Sequence, residues 1–260
     1  MKNLTWQNPE QLFVAQVLIN KVKSKCCGIK EDKKEIEQLT INTKFNMIHN
    51  FSHYSVIVGE LMDNNQIRPL GTGFVVTENK IATACHVVKD SKNLCVVLSN
   101  DIDIEGYQST DVTNLRILYV SVVEVNPLND LCILEMHNGN FHGVLPNISS
   151  LDDVYIGERL GMWGFPHCTL GRRILTYQEM KVGAKMKMGN DIQYKYATIN
   201  IQTRPGQSGS LITKSDNGDI VGILLGTYAP NSGIIIAGIN PFELNQSSYC
   251  ISAEYIKEML

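Results

Sequence analysis

The chain has 260 residues, enough for one sizeable core or a two-lobed domain with a short extension. Its 43% hydrophobic and 19% charged residues are ordinary for a globular protein, and a formal net charge of −3 offers no basic footprint for nucleic acid or an anionic membrane. Seven cysteines, an odd number with Cys26 and Cys27 adjacent, follow no disulfide or zinc spacing.

Residues 8–24 predict an amphipathic helix. Asn8-Pro9-Glu10 supplies a cap, a proline at the first helical position and an early acid. Leu12, Ala15, Leu18, Ile19 and Val22 then recur at three- and four-residue steps, widened by Phe13 and Val17. Cys26-Cys27-Gly28 would end it, and the mixed charges of 21–38 read as a solvated connector. Gln16 interrupts the apolar run, Glu10 precedes it and no small-residue cleavage site follows, so it does not read as an export signal. No run approaches the roughly 20 apolar residues that span a bilayer. The expected setting is cytoplasmic and reducing, with the cysteines packed as small hydrophobes.

From about Phe51 the texture changes to short Val- and Ile-rich runs divided by turns. Strands are expected near 54–61, 70–76, 80–84, 94–98, 115–125, 131–136, 159–164, 173–187, 192–202, 209–214, 219–226 and 233–239. Asp216-Asn217-Gly218-Asp219 marks a hairpin turn. At the C-terminus Ser252 is expected to cap a short helix whose Ile256, Met259 and Leu260 pack inward.

Three segments carry the chemistry. Gly71-Thr72-Gly73-Phe74-Val75-Val76 is an apolar strand, followed by the turn Glu78-Asn79-Lys80 and a second short strand ending in Thr83-Ala84-Cys85-His86. The small side chains before His86 allow close packing beneath an imidazole. Asp130, in Asn129-Asp130-Leu131-Cys132-Ile133-Leu134, opens an apolar strand, where a carboxylate is costly unless hydrogen-bonded. Taken alone it is a turn-capping residue after Pro127, but an aspartate that orients a histidine needs the same setting. Gly206-Gln207-Ser208-Gly209-Ser210 places a serine between glycines that permit a tight turn, where backbone amides can converge on a developing oxyanion. His137, His142 and His167-Cys168 lack ligand-pair spacing, so neither a metal nor a cofactor is expected.

The order His86, Asp130, Ser208, in these settings, resembles that of chymotrypsin-like serine peptidases and differs from α/β-hydrolases and subtilisin-like enzymes. The resemblance covers about residues 51–260. Gly164-Phe165-Pro166 is similar to the Gly-aromatic-Pro step of HtrA-type members, which places the chain nearer to bacterial and intracellular relatives than to digestive trypsins. The resemblance implies a mainly β fold of two six-stranded antiparallel barrels, one over about 51–140 and one over about 150–245, with a C-terminal helix in 250–260. It places His86 and Asp130 on the first lobe and Ser208 on the second, with the Gly206 and Ser208 amides as the oxyanion hole. It assigns the substrate pocket to Gln202, Thr203, Leu225, Gly226 and Thr227, with no carboxylate at its floor and hence a neutral or small apolar side chain preferred.

Gln207 stands where zymogen-activated relatives carry an aspartate that pairs with a newly cut amino terminus. A neutral amide cannot make that pair, so no activation by terminal cleavage is expected. Arg204 reads either as a ligand for an acidic substrate group or as a surface salt-bridge partner. The expected function is a serine endopeptidase acting on protein or peptide substrates, with residues 46–260 as the peptidase domain. Residues 1–45 form a helical extension that is either an adaptor for a regulatory protein, as in bacterial stress or defence, or packing for the barrels. The alternative is a catalytically silent scaffold or protein-binding module of the same fold.

Overall fold

The computed structural model describes residues 51–89, 91–98, 104, 106–109, 115–143, 145–228 and 247–260. The helix expected over 8–24, the rest of the 1–45 extension and the strand expected at 233–239 lie outside the described residues.

Strands β1 (Ser55–Leu61), β2 (Ile67–Val75), β3 (Lys80–Ala84), β4 (Leu94–Leu98), β5 (Ile117–Asn126) and β6 (Leu131–Met136) close one antiparallel barrel in the order β1-β2-β3-β6-β5-β4. Strands β7 (Arg159–Gly164), β8 (Thr176–Met188), β9 (Tyr194–Ile199), β10 (Leu211–Lys214), β11 (Ile220–Tyr228) and β12 (Ser247–Ser252) close the second as β10-β11-β12-β9-β8-β7. Read from β7, the second order is the first with six added to each number, so the two lobes repeat one topology. Closure removes sheet edges, and register shifts at Val58/Gly59, Val122/Glu124, Val182/Ala184, Ile212/Thr213 and Leu224/Gly226 supply the local bends it needs.

The β-branched runs form strands because both of their faces find cover. Leu131, Cys132, Ile133 and Leu134 of β6 are all buried, as are Val56, Ile57 and Val58 of β1. One apolar cluster runs from Val56, Phe74, Ile81 and Ile133 of the first barrel into Leu211, Ile223 and Ile251 of the second. Leu160, Met162, Val182, Ile212 and Val221 fill the second barrel in a cluster of their own. Each fully buried aliphatic side chain contributes roughly 1.5–3 kcal/mol, so the barrels are joined by core packing as well as by polar contacts.

The polar contacts converge on Thr72, wholly buried on β2. Its N–H donates to the Ser208 carbonyl at 2.9 Å, and its hydroxyl donates to the Gly206 carbonyl at 2.8 Å. The same hydroxyl accepts from the Phe165 N–H at 3.1 Å, just after β7, while the Thr72 carbonyl accepts from the Thr83 hydroxyl at 2.7 Å. Gly209, at φ 85°, leaves no room for a side chain, because a Cβ there would overlap the Thr72 carbonyl.

The C-terminal end differs from the sequence expectation. Barrel two closes with β12, whose Ser248 and Ser252 are buried polar residues that hydrophobic periodicity does not flag. Ser252 does not cap the terminal helix α2 (Glu254–Lys257): the preceding residue is Ala253, which makes no side-chain cap bond. The Ser252 hydroxyl instead accepts from the Leu151 N–H at 3.0 Å. Ile256 is buried and Met259 packs on the core, but Leu260 is exposed. The helix is clasped by Lys195, whose Nζ meets Asp152 Oδ2 at 2.5 Å and Glu254 Oε1 at 3.0 Å.

Replacing Thr72 by Val keeps its shape but orphans the Phe165 N–H, at about 1–3 kcal/mol for a buried group, and leaves the Gly206 carbonyl only the weak Cys168 Sγ donor at 3.6 Å. Thr72→Val is therefore expected to lower the chemical denaturation midpoint substantially, with Thr72→Ser remaining close to wild type.

Candidate active site

His86 enters the site on a short helix, α1 (Cys85–Val88), that follows β3 directly. Among the described residues the helix has no local side-chain cap. Its first amides are satisfied from the start of the neighbouring strand β6: Cys85 N–H donates to the Asp130 carbonyl at 2.8 Å, and His86 N–H to Asp130 Oδ1 at 2.8 Å. A helix so short has no stability of its own, and these bonds define its start. The second carboxylate oxygen, Oδ2, lies 2.5 Å from His86 Nδ1. That contact places the proton of the neutral imidazole on Nδ1 and leaves Nε2 as an acceptor.

Asp130 reaches His86 with side chain and backbone together because of its conformation. It has φ 54°, in the left-handed region, at the last position before β6. Aspartate tolerates this better than most residues, at about 1–3 kcal/mol of strain where the surroundings enforce it. Of the two settings the sequence leaves open for Asp130, turn cap or partner of a histidine, its carboxylate takes the second and engages His86. The charge of Asp130 also bears on Tyr249 of β12. Burial first, and then that charge, raise the Tyr249 hydroxyl above its ordinary range.

Ser208 lies in the Arg204–Ser210 loop that leads into β10. Its hydroxyl donates to the Leu225 carbonyl at 3.1 Å, and among the described residues no hydrogen bond joins it to His86. Leu225 is the residue left over in the β11–β12 register shift, where Leu224 pairs with Cys250 and Gly226 with Tyr249. Its carbonyl is thus outside the ladder and open to Ser208, as bulges beside active sites commonly arrange. Gly206 has φ 92°, and a Cβ there would press on Cys168 Sγ and the Phe165 carbonyl. The Pro205 carbonyl is engaged by the His167 N–H at 2.7 Å, with His167 itself at φ 62°. Among the described residues the Gly206 and Ser208 amides donate to no protein acceptor.

Of the pocket residues, Thr203 is buried, with its hydroxyl 3.0 Å from that of Ser248. Ser248 was not singled out from the sequence, and its hydroxyl also donates to the Ile201 carbonyl at 2.7 Å. Gln202 is exposed and accepts from the Arg204 guanidinium at 3.2 and 3.3 Å. Arg204 therefore has a neutral partner, and no carboxylate pairs with it among the described residues. The Leu225 side chain packs in the core and offers the site its carbonyl alone, while Gly226 and Thr227 are half-buried along β11.

A cavity of about 510 Å³, which the sequence reading missed, lies beside these elements. It is lined by Leu128 of the turn before Asp130 and by Met188, Ile192, Tyr194 and Tyr196 of the β8–β9 hairpin. The available signal was an apolar residue inside each of two polar turns, Leu128 and Ile192. Burial pushes the Cys132 and Cys168 thiols up to about 12, so both stay protonated and act as packing groups.

Two closed six-stranded barrels, with a His–Asp pair on the first and a glycine-flanked serine on the second, make up the chymotrypsin-like fold. The chain belongs to the trypsin-like peptidase domain family, whose model matches residues 71–223. The comparison with curated proteins finds no match. Among solved structures, the chain is similar to the MamO protease domain from Magnetospirillum magneticum in its apo form, at TM-score 0.60 and 17% identity over 81% of this chain and 97% of that one. It is also similar to the Rv3671c protease of M. tuberculosis in its active form, at TM-score 0.60 and 16% identity over 82% of each chain. Against the inactive form of that protease the TM-score is 0.56 and the identity 18%, over 82% of this chain and 90% of that one. At these identities the likeness is one of fold.

The packing behind the serine loop yields a stability test. Among the described residues the buried Ser210 hydroxyl has no hydrogen-bond partner, and a Cβ on Gly164 would overlap it. Ser210→Ala is expected to leave the melting temperature unchanged or raise it. Gly164→Ala should lower it, and Ser210→Gly in the same chain should recover most of that loss.

Proposed function

We propose that the protein is a serine endopeptidase in which Ser208 is the nucleophile, His86 the general base and acid, and Asp130 the group that orients the imidazole. The observation that carries this reading is the double engagement of His86 by Asp130, through Nδ1 at 2.5 Å and the backbone N–H at 2.8 Å. It holds the ring in the tautomer whose Nε2 is free to take a proton. A silent scaffold has no need of so closely specified an imidazole beside a serine loop.

In the proposed cycle the Ser208 hydroxyl turns from the Leu225 carbonyl towards His86 Nε2 and attacks the substrate carbonyl as its proton passes to the imidazole. The oxygen that gains charge accepts from the Gly206 and Ser208 amides, which have no protein partner in the described structure. His86 then returns the proton to the leaving amine, and water repeats the sequence on the acyl-enzyme. Asp130 stabilises the imidazolium without taking its proton. Thr203, Gly226 and Thr227 would border the side chain next to the cut. The cavity beside Leu128 and Tyr196, whose wall also holds Asn190 and Asp191, would take another side chain of an extended peptide.

A closer kinship with HtrA-type enzymes, an intracellular setting and control through a partner bound to residues 1–45 belong to the same proposal. Their support is the Gly164-Phe165-Pro166 step and the amphipathic pattern of 8–24.

Ser208→Ala should lower turnover by about 10⁶-fold, read as the loss of new peptide termini when a proteome is digested with wild type and variant side by side. Equal sets of termini would overturn the reading. Deleting residues 1–45 should leave cleavage of a short peptide intact while changing which proteins are cut.

A further inference from the structure

Gln207, next to the proposed nucleophile, is wholly buried and uses both ends of its amide. Its Oε1 accepts from the Arg204 backbone N–H at 2.7 Å, and its Nε2 donates to Gln178 Oε1 at 2.6 Å. The first bond fixes the sense of the second. An oxygen must face the Arg204 N–H, so the NH₂ group must face Gln178, and residue 178 must present an acceptor. Gln178 lies on β8 opposite Met162 of β7, which in turn lies opposite Ile212 of β10. The loop that precedes β10 is thus fastened, two strands away, to a fixed point on the same closed barrel. Gly206 and Ser208, whose amides would bind the oxyanion, are the two neighbours of Gln207.

Resting on the serine-peptidase reading, we propose that Gln178 is a positioning residue: as the acceptor for Gln207 it holds the Gly206 and Ser208 peptides in the orientation that receives the oxyanion. Its side chain meets Gln207 rather than Ser208, so it acts through Gln207. Both partners are neutral, so the bond needs no ionised group and no free amino terminus. Without the acceptor, Nε2 of Gln207 is buried and unpaired, and the loop relieves this by turning peptides that flank Ser208. Loss of an oxyanion donor lowers the rate of the chemical step by about 10²–10³-fold, while ground-state binding is untouched because the oxyanion exists only in the transition state.

The test uses the full chain and a fluorophosphonate probe, with the limiting labelling rate at saturation separated from the half-saturating concentration. Gln178→Leu removes the acceptor, and Gln178→Glu keeps one. Gln178→Leu is expected to lower the limiting rate by about 10-fold or more, up to the oxyanion-donor range, with an unchanged half-saturating concentration and native near-ultraviolet circular dichroism. Gln178→Glu should restore most of that rate. The role is overturned if Gln178→Leu labels like wild type, if Gln178→Glu is as slow as Gln178→Leu, or if the loss follows the fraction unfolded. A wild type that does not label at all, while Ser208→Ala is equally unreactive, overturns the underlying peptidase reading instead, and this role with it.

Discussion

The arrangement depends first on one threonine. Thr72 belongs to barrel one, yet its N–H and hydroxyl bind the carbonyls of Ser208 and Gly206 on barrel two. The same hydroxyl accepts the Phe165 N–H, so β7 and the serine loop are tied to one atom of β2. In a dry interior each of these groups would be costly to leave unpaired. The approach is so close that Gly209 must have no side chain. Apolar packing brings the barrels together, but the Thr72 contacts decide where the serine loop lies relative to the histidine.

The two halves of the site are built by different means. On barrel one the His–Asp pair is complete without barrel two: Asp130, in a left-handed conformation, starts α1 with one carboxylate oxygen and its carbonyl, and aligns the imidazole with the other oxygen. On barrel two the serine loop is shaped by glycine at φ 92° and 85°, by the Pro205–His167 bond and by the buried Gln207 amide. At rest the Ser208 hydroxyl leans on the bulged Leu225 carbonyl rather than on His86. Apo sites often hold such loose geometry and tighten when substrate arrives.

The sequence made much of this legible where chemistry and local geometry coincide. Glycines around Ser208, small residues before His86 and a carboxylate at the mouth of an apolar strand each signal a local requirement. The eleven expected strands that fall on described residues all appear, with ends shifted by up to three residues or so. What stayed hidden was set by partners distant in sequence. Cys85–Val88 carries two valines and no helix signal of its own, but Asp130, just ahead of β6, caps it into a helix. Ser248 looks like a surface serine and Ser252 like a helix cap, although their hydroxyls are buried in bonds to Thr203, Ile201 and Leu151. Gln207 was conspicuous for what it is not, a carboxylate, whereas its partner Gln178 looks like any polar strand residue until the barrel closes. Thr72 reads as one member of a Gly-Thr-Gly run, and nothing local reveals its contacts across the barrels.

The central claim is that a histidine prepared on one barrel activates a serine held on the other. Peptide mapping of the protein after exposure to a fluorophosphonate tests it most directly. The account predicts a single adduct, on Ser208, that disappears in His86→Ala while the variant remains folded. An adduct on another residue, or one on Ser208 that forms equally fast without His86, would contradict it.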